Sequence, residues 1–175
     1  QNYYLYKGLS NQFHPILWDL NMSFGGFRLT DATQSYFNGF NISQAQTMDP
    51  LNFLNNNFLS PRPLITKLLS NSRHQRMYLA HMRTIVEEHF SNQSYITRAQ
   101  YLQNLISNDV QNDNNKFYSY NDFLDNINNQ VNIPSSICPG ISQLMDARTT
   151  FLTNYWSGFT QPNISNIQTL PNSSQ

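Results

Sequence analysis

Phe13-His14-Pro15-Ile16-Leu17-Trp18-Asp19-Leu20-Asn21-Met22-Ser23-Phe24-Gly25-Gly26 is the stretch that decides the fold. An apolar run ends at Trp18. A lone acid, Asp19, stands where the run stops, and an amide follows at Asn21 before Phe24-Gly25-Gly26. A strand can fix a carboxylate at its end, and glycines let the backbone turn sharply beside it. Such a place can hold a metal ion. The local pattern also fits a turn residue or a helix cap, the commoner uses of Asp after a strand.

Working outward, Tyr3-Tyr4-Leu5-Tyr6 is aromatic and strand-prone. Lys7-Gly8-Leu9-Ser10-Asn11 is turn material, so the spacing predicts a β-hairpin with Phe13 to Trp18 as the return strand. Antiparallel pairing would bring Asn2, near the start of one strand, close to Asp19, near the end of the other. Two residues distant in sequence could then share one ion.

From Phe24 to Pro63 the chain is rich in Gly, Pro, Asn and Ser. A long loop with short helical turns is expected, and loops of that length usually serve function. From Leu64 the period turns helical. Leu64, Ile65, Leu68 and Leu69 make a short apolar face. Ser72-x-x-Gln75 and Thr97-x-x-Gln100 have capping-box form. The first opens a helix with Tyr78, Met82, Ile85, Val86 and Phe90 on one stripe. The second precedes Tyr101, Leu102, Leu105 and Ile106. Asn121 is placed as the cap of a helix carrying Phe123, Leu124, Ile127 and Val131, ended by Pro134 and Pro139-Gly140. Ile141, Leu144, Met145, Arg148, Phe151, Leu152, Tyr155 and Trp156 mark the last helix. After Gly158 the composition reads as an extended tail or linker.

Composition excludes several classes. The 175 residues suffice for one domain with a core. The formal net charge is +0, and there is no basic patch for a nucleic-acid backbone or run for an anionic membrane surface. Charged residues are 11% of the chain, against about a quarter in ordinary domains. Asparagine and glutamine solvate the surface instead. No apolar run approaches the ~20 residues of a membrane span. Cys138 is the single cysteine, which rules out an intramolecular disulfide framework and a Cys-based zinc site; it reads as a small buried residue. His81 and His89 are eight apart on one helix, without the converging partners zinc needs. Glu87-Glu88 reads as a solvated helix end within reach of Arg83 or Arg76. A carbohydrate-binding or adhesion role would rest on exposed aromatics, but their helical spacing favours core positions.

Asn2-Tyr3-Tyr4-Leu5-Tyr6, then Pro15-Ile16-Leu17-Trp18-Asp19 with Phe24-Gly25 soon after, resembles the signature of the CotH family, the spore-coat-type atypical protein kinases. Pro63-Leu64-Ile65 to Leu69, Arg76-Met77-Tyr78-Leu79 with its helix to Phe90, and Arg148 to Trp156 resemble later family blocks. The hairpin is the specific part and the helices are generic.

The resemblance implies an α+β fold, mostly helical: an N-terminal β-hairpin followed by a helical kinase-like large lobe. Residues 1–157 would be the C-terminal part of the domain, without its small lobe, and 158–175 a tail or linker. The parent protein would transfer phosphate from ATP to protein Ser/Thr with Mg²⁺ or Mn²⁺. Asp19 matches the metal-binding Asp and Asn2 the Asn of the family's Asn-Tyr-Tyr strand. Asn21 stands where many members have Asp; its amide can still ligate but adds no charge, which weakens the site. The catalytic Asp and nucleotide lysine are expected upstream of Gln1, so no turnover is expected of this chain alone. Its partners would be a protein substrate and the missing N-terminal lobe, in an extracytoplasmic, secreted or cell-surface setting. The alternative is a non-catalytic kinase-like binding or assembly module of the cell envelope.

Overall fold

The computed structural model describes residues 3–18, 20, 23–25, 41–51, 63–133 and 136–159. β1 (Tyr3–Lys7) and β2 (Phe13–Leu17) form the expected antiparallel hairpin. Tyr3 pairs with Leu17 and Lys7 with Phe13. The turn between them closes through Gly8 N–H to Gln12 O at 2.9 Å and Asn11 N–H to Gly8 O at 3.0 Å. Asn11 takes a φ of 67°, which an Asn accepts more readily than most residues.

The rest is helical. α1 (Ile42–Gln46) falls in the region expected to be loop with helical turns. It has a reciprocal cap: Gln44 N–H donates to Asn41 Oδ1 at 2.8 Å, and Asn41 N–H to Gln44 Oε1 at 3.0 Å. α2 (Pro63–Leu69) opens on proline, whose missing N–H is harmless in a first turn. α3 (Ser72–Ile85) runs straight into a π-helical turn, Val86–Phe90, closed by Ser91 N–H to Val86 O at 2.8 Å. α4 (Ser94–Asn112), α5 (Tyr120–Asp125) and α6 (Ile141–Ser157) complete the set. A second antiparallel pair, β3 (Val131–Ile133) and β4 (Ser136–Cys138), lies between α5 and α6. The α+β class, mostly helical, is as expected.

Several local expectations are corrected. The cap of α3 is Asn71, whose Oδ1 accepts from Arg73 N–H and His74 N–H, not Ser72. Thr97 lies inside α4, which starts three residues earlier at Ser94. The cap of α5 is Ser119, paired with Asp122, not Asn121. α5 ends at Asp125, so Ile127 sits in the turn beyond it and Val131 in β3. Both are nevertheless buried. Cys138 is half-buried on β4 rather than fully enclosed. The apolar residues expected from the sequence to pack the long loop, Phe27, Tyr36, Phe37, Phe40, Phe53, Phe58 and Leu59, lie outside the described residues.

The core lies between the end of α3 and α6. Val86, Leu152 and Trp156 are buried together, with Met82, Phe151 and Tyr155 packed around them. Burying a side chain of this size stabilises by about 1.5–3 kcal/mol. The π turn belongs to this core, since Val86 is its first residue. Ile85, expected on the same stripe, points outward. Of the helix aromatics expected in the core, Trp156 is buried with Phe151 and Tyr155 half-buried against it, whereas Tyr78 and Tyr101 are exposed. The hairpin aromatics Tyr3, Tyr4, Tyr6, Phe13 and Trp18 are all exposed.

Candidate functional site

Asn2, Asp19 and Asn21, the three expected ligands, lie outside the described residues. What is described is the frame on either side of them. The Tyr3–Leu17 pair closes the open end of the hairpin, and Asn2 is bonded to Tyr3 while Asp19 is bonded to Trp18. The Trp18 ring stacks on Tyr4, with centroids 6.0 Å apart and planes 13° from parallel. Trp18 is thereby fixed to the neighbouring strand.

On the other side, Ser23 N–H donates to Leu20 O at 3.0 Å and closes a turn. Phe24 and Gly25 then both take positive φ, 54° and 79°. Gly25 is suited to that conformation; Phe24 is not. Gly25 lies against the start of α6. A methyl group on it would come within 3.2 Å of both Leu144 Cδ2 and Pro139 Cγ. Phe24 lines an apolar groove of about 330 Å³ whose walls include Tyr95 and Leu102 of α4, Phe123 of α5 and Ile141 of α6.

The landing place is itself tightly built. Asn126 Nδ2 donates to the carbonyls of Cys138, Pro139 and Asn129 at 3.1, 3.2 and 3.1 Å. Ile141 N–H and Ser142 N–H donate to Asn126 O and Ile127 O at 3.2 and 2.8 Å. The first N–H groups of α6, which have no partner within their own helix, thus satisfy carbonyls just past α5. Gly140 makes this approach possible, as its Cα faces the Asn128–Asn129 peptide.

A second cluster holds the 41–51 segment to α6. Arg148 Nη1 donates to Met48 O and, at 3.4 Å, to Gln46 O, and its guanidinium lies over the Phe151 ring at 5.5 Å. Gln46 Nε2 donates to Gln143 O at 2.8 Å, and the Tyr78 hydroxyl to Pro50 O at 3.3 Å. Burial lowers the Arg148 pKa, opposed by Tyr78 and Asp49; an arginine still keeps its charge. Burial raises Tyr78, partly offset by Arg148. Burial also raises Tyr155, helped by the charge of Asp49 and a hydrogen bond to it.

No group of three His, Cys, Asp or Glu is gathered for a metal among the described residues. His81 lies on α3 and His89 in the π turn, and neither joins such a cluster. Arg83 Nε meets Glu87 Oε1 at 2.6 Å, the contact anticipated from their spacing. Sequence reasoning placed Phe24 and Gly25 in the motif but not their contact with Pro139 and Leu144. The positive φ was signalled by Phe-Gly-Gly; the landing place had no signal.

Residues 1–149 match the family described as CotH kinase protein. The chain belongs to the CotH kinase family. The match takes in the hairpin, the Phe24–Gly25 turn and the helices through Arg148 to Thr149 of α6. The CotH chain is therefore kinase-like in its family as well as α+β in its fold. No curated protein and no solved structure matches it. No helix among the described residues of this CotH chain is long and apolar enough to cross a membrane.

Proposed function

We propose that this chain is the metal-binding half of an atypical protein kinase whose parent transfers phosphate from ATP to protein Ser/Thr outside the cytoplasm. The observation that carries the reading is the family match across 1–149 together with the hairpin register, which closes at the end to which Asn2 and Asp19 are bonded. Asp19, Asn2 and Asn21 would supply one carboxylate and two amide oxygens. These are hard oxygen donors, suited to Mg²⁺ or Mn²⁺ rather than zinc. When bound, the ion neutralises charge on the transferring phosphates. The chain's own part is to hold the carboxylate and amides at the hairpin's open end.

The family pattern carries a lysine and a catalytic acid ahead of Asn2, so the activity proposed is that of the parent protein. The test is transfer from labelled ATP by the chain extended upstream of Gln1, with and without Mn²⁺, beside Asp19→Ala. Labelling that needs Mn²⁺ and is lost in the variant supports the kinase. Equal labelling with Asp19→Ala removes Asp19 from the reaction.

A second reading is favoured by one residue. Asn21 lacks the charge that many family members have there, which suits a non-catalytic envelope-binding or assembly module. No labelling by either folded protein would favour it.

A further inference from the structure

We infer that the exposed stripe of α4 is a self-association surface, on which a second copy of this chain docks with its own α4 running antiparallel. Nothing in it depends on the role of Asp19. Tyr101, Leu102, Leu105 and Ile106 form one apolar helix face, yet all four are exposed, Leu105 at 63% and Tyr101 at 55%. The polar contacts of α4 with α5 and α6 run through other residues. Tyr95 reaches Asp146, Gln103 Nε2 donates to Phe123 O and Leu124 O, and Ser107 Oγ meets the Tyr120 hydroxyl at 2.6 Å. Leu102 and Ile106 also border the groove beside α5 and α6, so the open apolar surface extends past the stripe. Large apolar side chains gathered in one exposed patch mark an interaction site, where scattered ones do not.

Spacing turns the patch into a seam. Arg98, Leu102, Leu105 and Asp109 follow one another at steps of four, three and four positions. Helices that pack side by side use that rhythm. Tyr101 and Ile106 flank the seam, which runs for about 17 Å at 1.5 Å per residue. Arg98 and Asp109 are the only charged residues of α4, and both are exposed. The Arg98 guanidinium lies 5.3 Å from the centre of the Tyr101 ring, which keeps it along the stripe.

The order of these residues selects both the partner and its direction. A surface that binds its own copy through a two-fold axis must be complementary to itself. With that axis between Gln103 and Asn104, Leu102 of each copy meets Leu105 of the other, and Arg98 of each meets Asp109 of the other. Four leucines form the centre, and an Arg–Asp pair closes each end. A parallel pair would set Arg98 on Arg98 and Asp109 on Asp109. Sliding the antiparallel pair to the next register would set a charge against a leucine. One arrangement is thus attractive along its whole length, and the alternatives carry a penalty. Three turns of one helix make a contact smaller than a standard interface, so the pair should be no tighter than about micromolar.

The experiment is sedimentation equilibrium of the 175-residue chain from micromolar to millimolar concentration. Wild type is compared with Leu105→Glu, Arg98→Asp, Asp109→Arg, and the two charge variants mixed in equal amounts. Circular dichroism and its thermal midpoint show that each variant is folded, as expected for exposed positions. Wild type should form a dimer, and Leu105→Glu should stay monomeric. Arg98→Asp and Asp109→Arg should each weaken the dimer about tenfold, since each alone sets like charges together at both ends. Mixed, they should recover the wild-type affinity, because each then meets the opposite charge at both ends. A wild-type chain that stays monomeric throughout overturns the proposal. So does a dimer that Leu105→Glu leaves intact, which would lie on another face. Failure of the mixture to associate more tightly than either variant alone overturns the antiparallel pairing.

Discussion

The Tyr95 hydroxyl donates to Asp146 Oδ1 at 2.5 Å, tying the first turn of α4 to the first half of α6 across 51 positions of sequence. Phe90 packs against the same ring, with centroids 5.0 Å apart, so the π turn, α4 and α6 converge on Tyr95. Burial, the hydrogen bond and the charge of Asp146 all raise the Tyr95 pKa.

That shift has a definite sign. The folded chain keeps the Tyr95 proton at pH values where the unfolded chain, with a tyrosine pKa near 10, gives it up. The contribution is fully present below about pH 10 and is lost as pH rises towards the folded value. Urea midpoints should therefore fall between pH 9 and 11. Tyr95→Phe should lose up to about 1 kcal/mol at pH 8 and show a shallower alkaline fall. Some slope must remain, because Tyr78 and Tyr155 are also raised. An identical alkaline slope in wild type and variant would remove Tyr95 from the account.

Arg148 should be the strongest single link between the 41–51 segment and the helices. Arg148→Met keeps the stem over Phe151 but leaves Met48 O and Gln46 O without their donor. Losing hydrogen bonds from a charged group costs about 1.5–3 kcal/mol. Arg148→Lys should recover part of this, as an ammonium can reach one carbonyl but not span two. Limited proteolysis provides a second readout: cleavage within 41–51 should accelerate in Arg148→Met. Wild-type resistance to urea and protease in that variant would show that the segment is held by other contacts.

Gly140 is required by proximity, not by an unusual φ. A Cβ there would lie 2.5 Å from Asn129 N, 2.6 Å from Asn128 C and 2.7 Å from Asn128 O, all backbone atoms. Forcing a methyl into so close a contact costs about 1–3 kcal/mol. Gly140→Ala should therefore lower the urea midpoint clearly. Gly158→Ala is the control, since its nearest neighbour, Tyr155 O, is 3.9 Å away. Equal behaviour of the two variants would contradict the close packing of the α5–α6 corner.

What was legible in the sequence follows from the range of each signal. Tyr3 to Tyr6 and Phe13 to Leu17 announced a hairpin because strand propensity and turn residues are local, and the register agrees. α6 announced itself through an uninterrupted apolar period. Caps were harder. In a chain rich in Ser, Asn and Gln, several side chains near each helix start can accept an N–H, and the choice falls to the residue with extended backbone, as at Asn71 and Ser119. Val131 was misplaced because its four-residue spacing from Ile127 imitates a helix. Val131 instead opens β3 and is buried there. Asp19 and Asn2 are expected as ligands from the family resemblance alone and lie outside the described residues. The contact of Gly25 with Pro139 and Leu144 joins distant parts of the chain, and no local pattern encodes it.

The hairpin and the helical part should differ sharply in local stability. Every residue of β1 and β2 is exposed, including Tyr4 and Leu17. A two-stranded hairpin by itself is marginal in water, and its described support is the Tyr4–Trp18 stack within it and the Phe24–Gly25 turn beyond it. α6, in contrast, carries Leu152 at 3% exposure and Trp156 at 7%. Local opening tracks the apolar contacts that must be broken, so amide protection should be low across β1 and β2 and approach the global value around Leu152. Leu152→Ala should cost about 2–5 kcal/mol and lower protection throughout the helices. Trp18→Ala should lower protection in the hairpin while leaving α6 near wild type. If Trp18→Ala instead reduced protection at Leu152 as much as at Tyr4, the hairpin would be part of one cooperative unit with the helices, and its open faces would contribute more than their exposure allows.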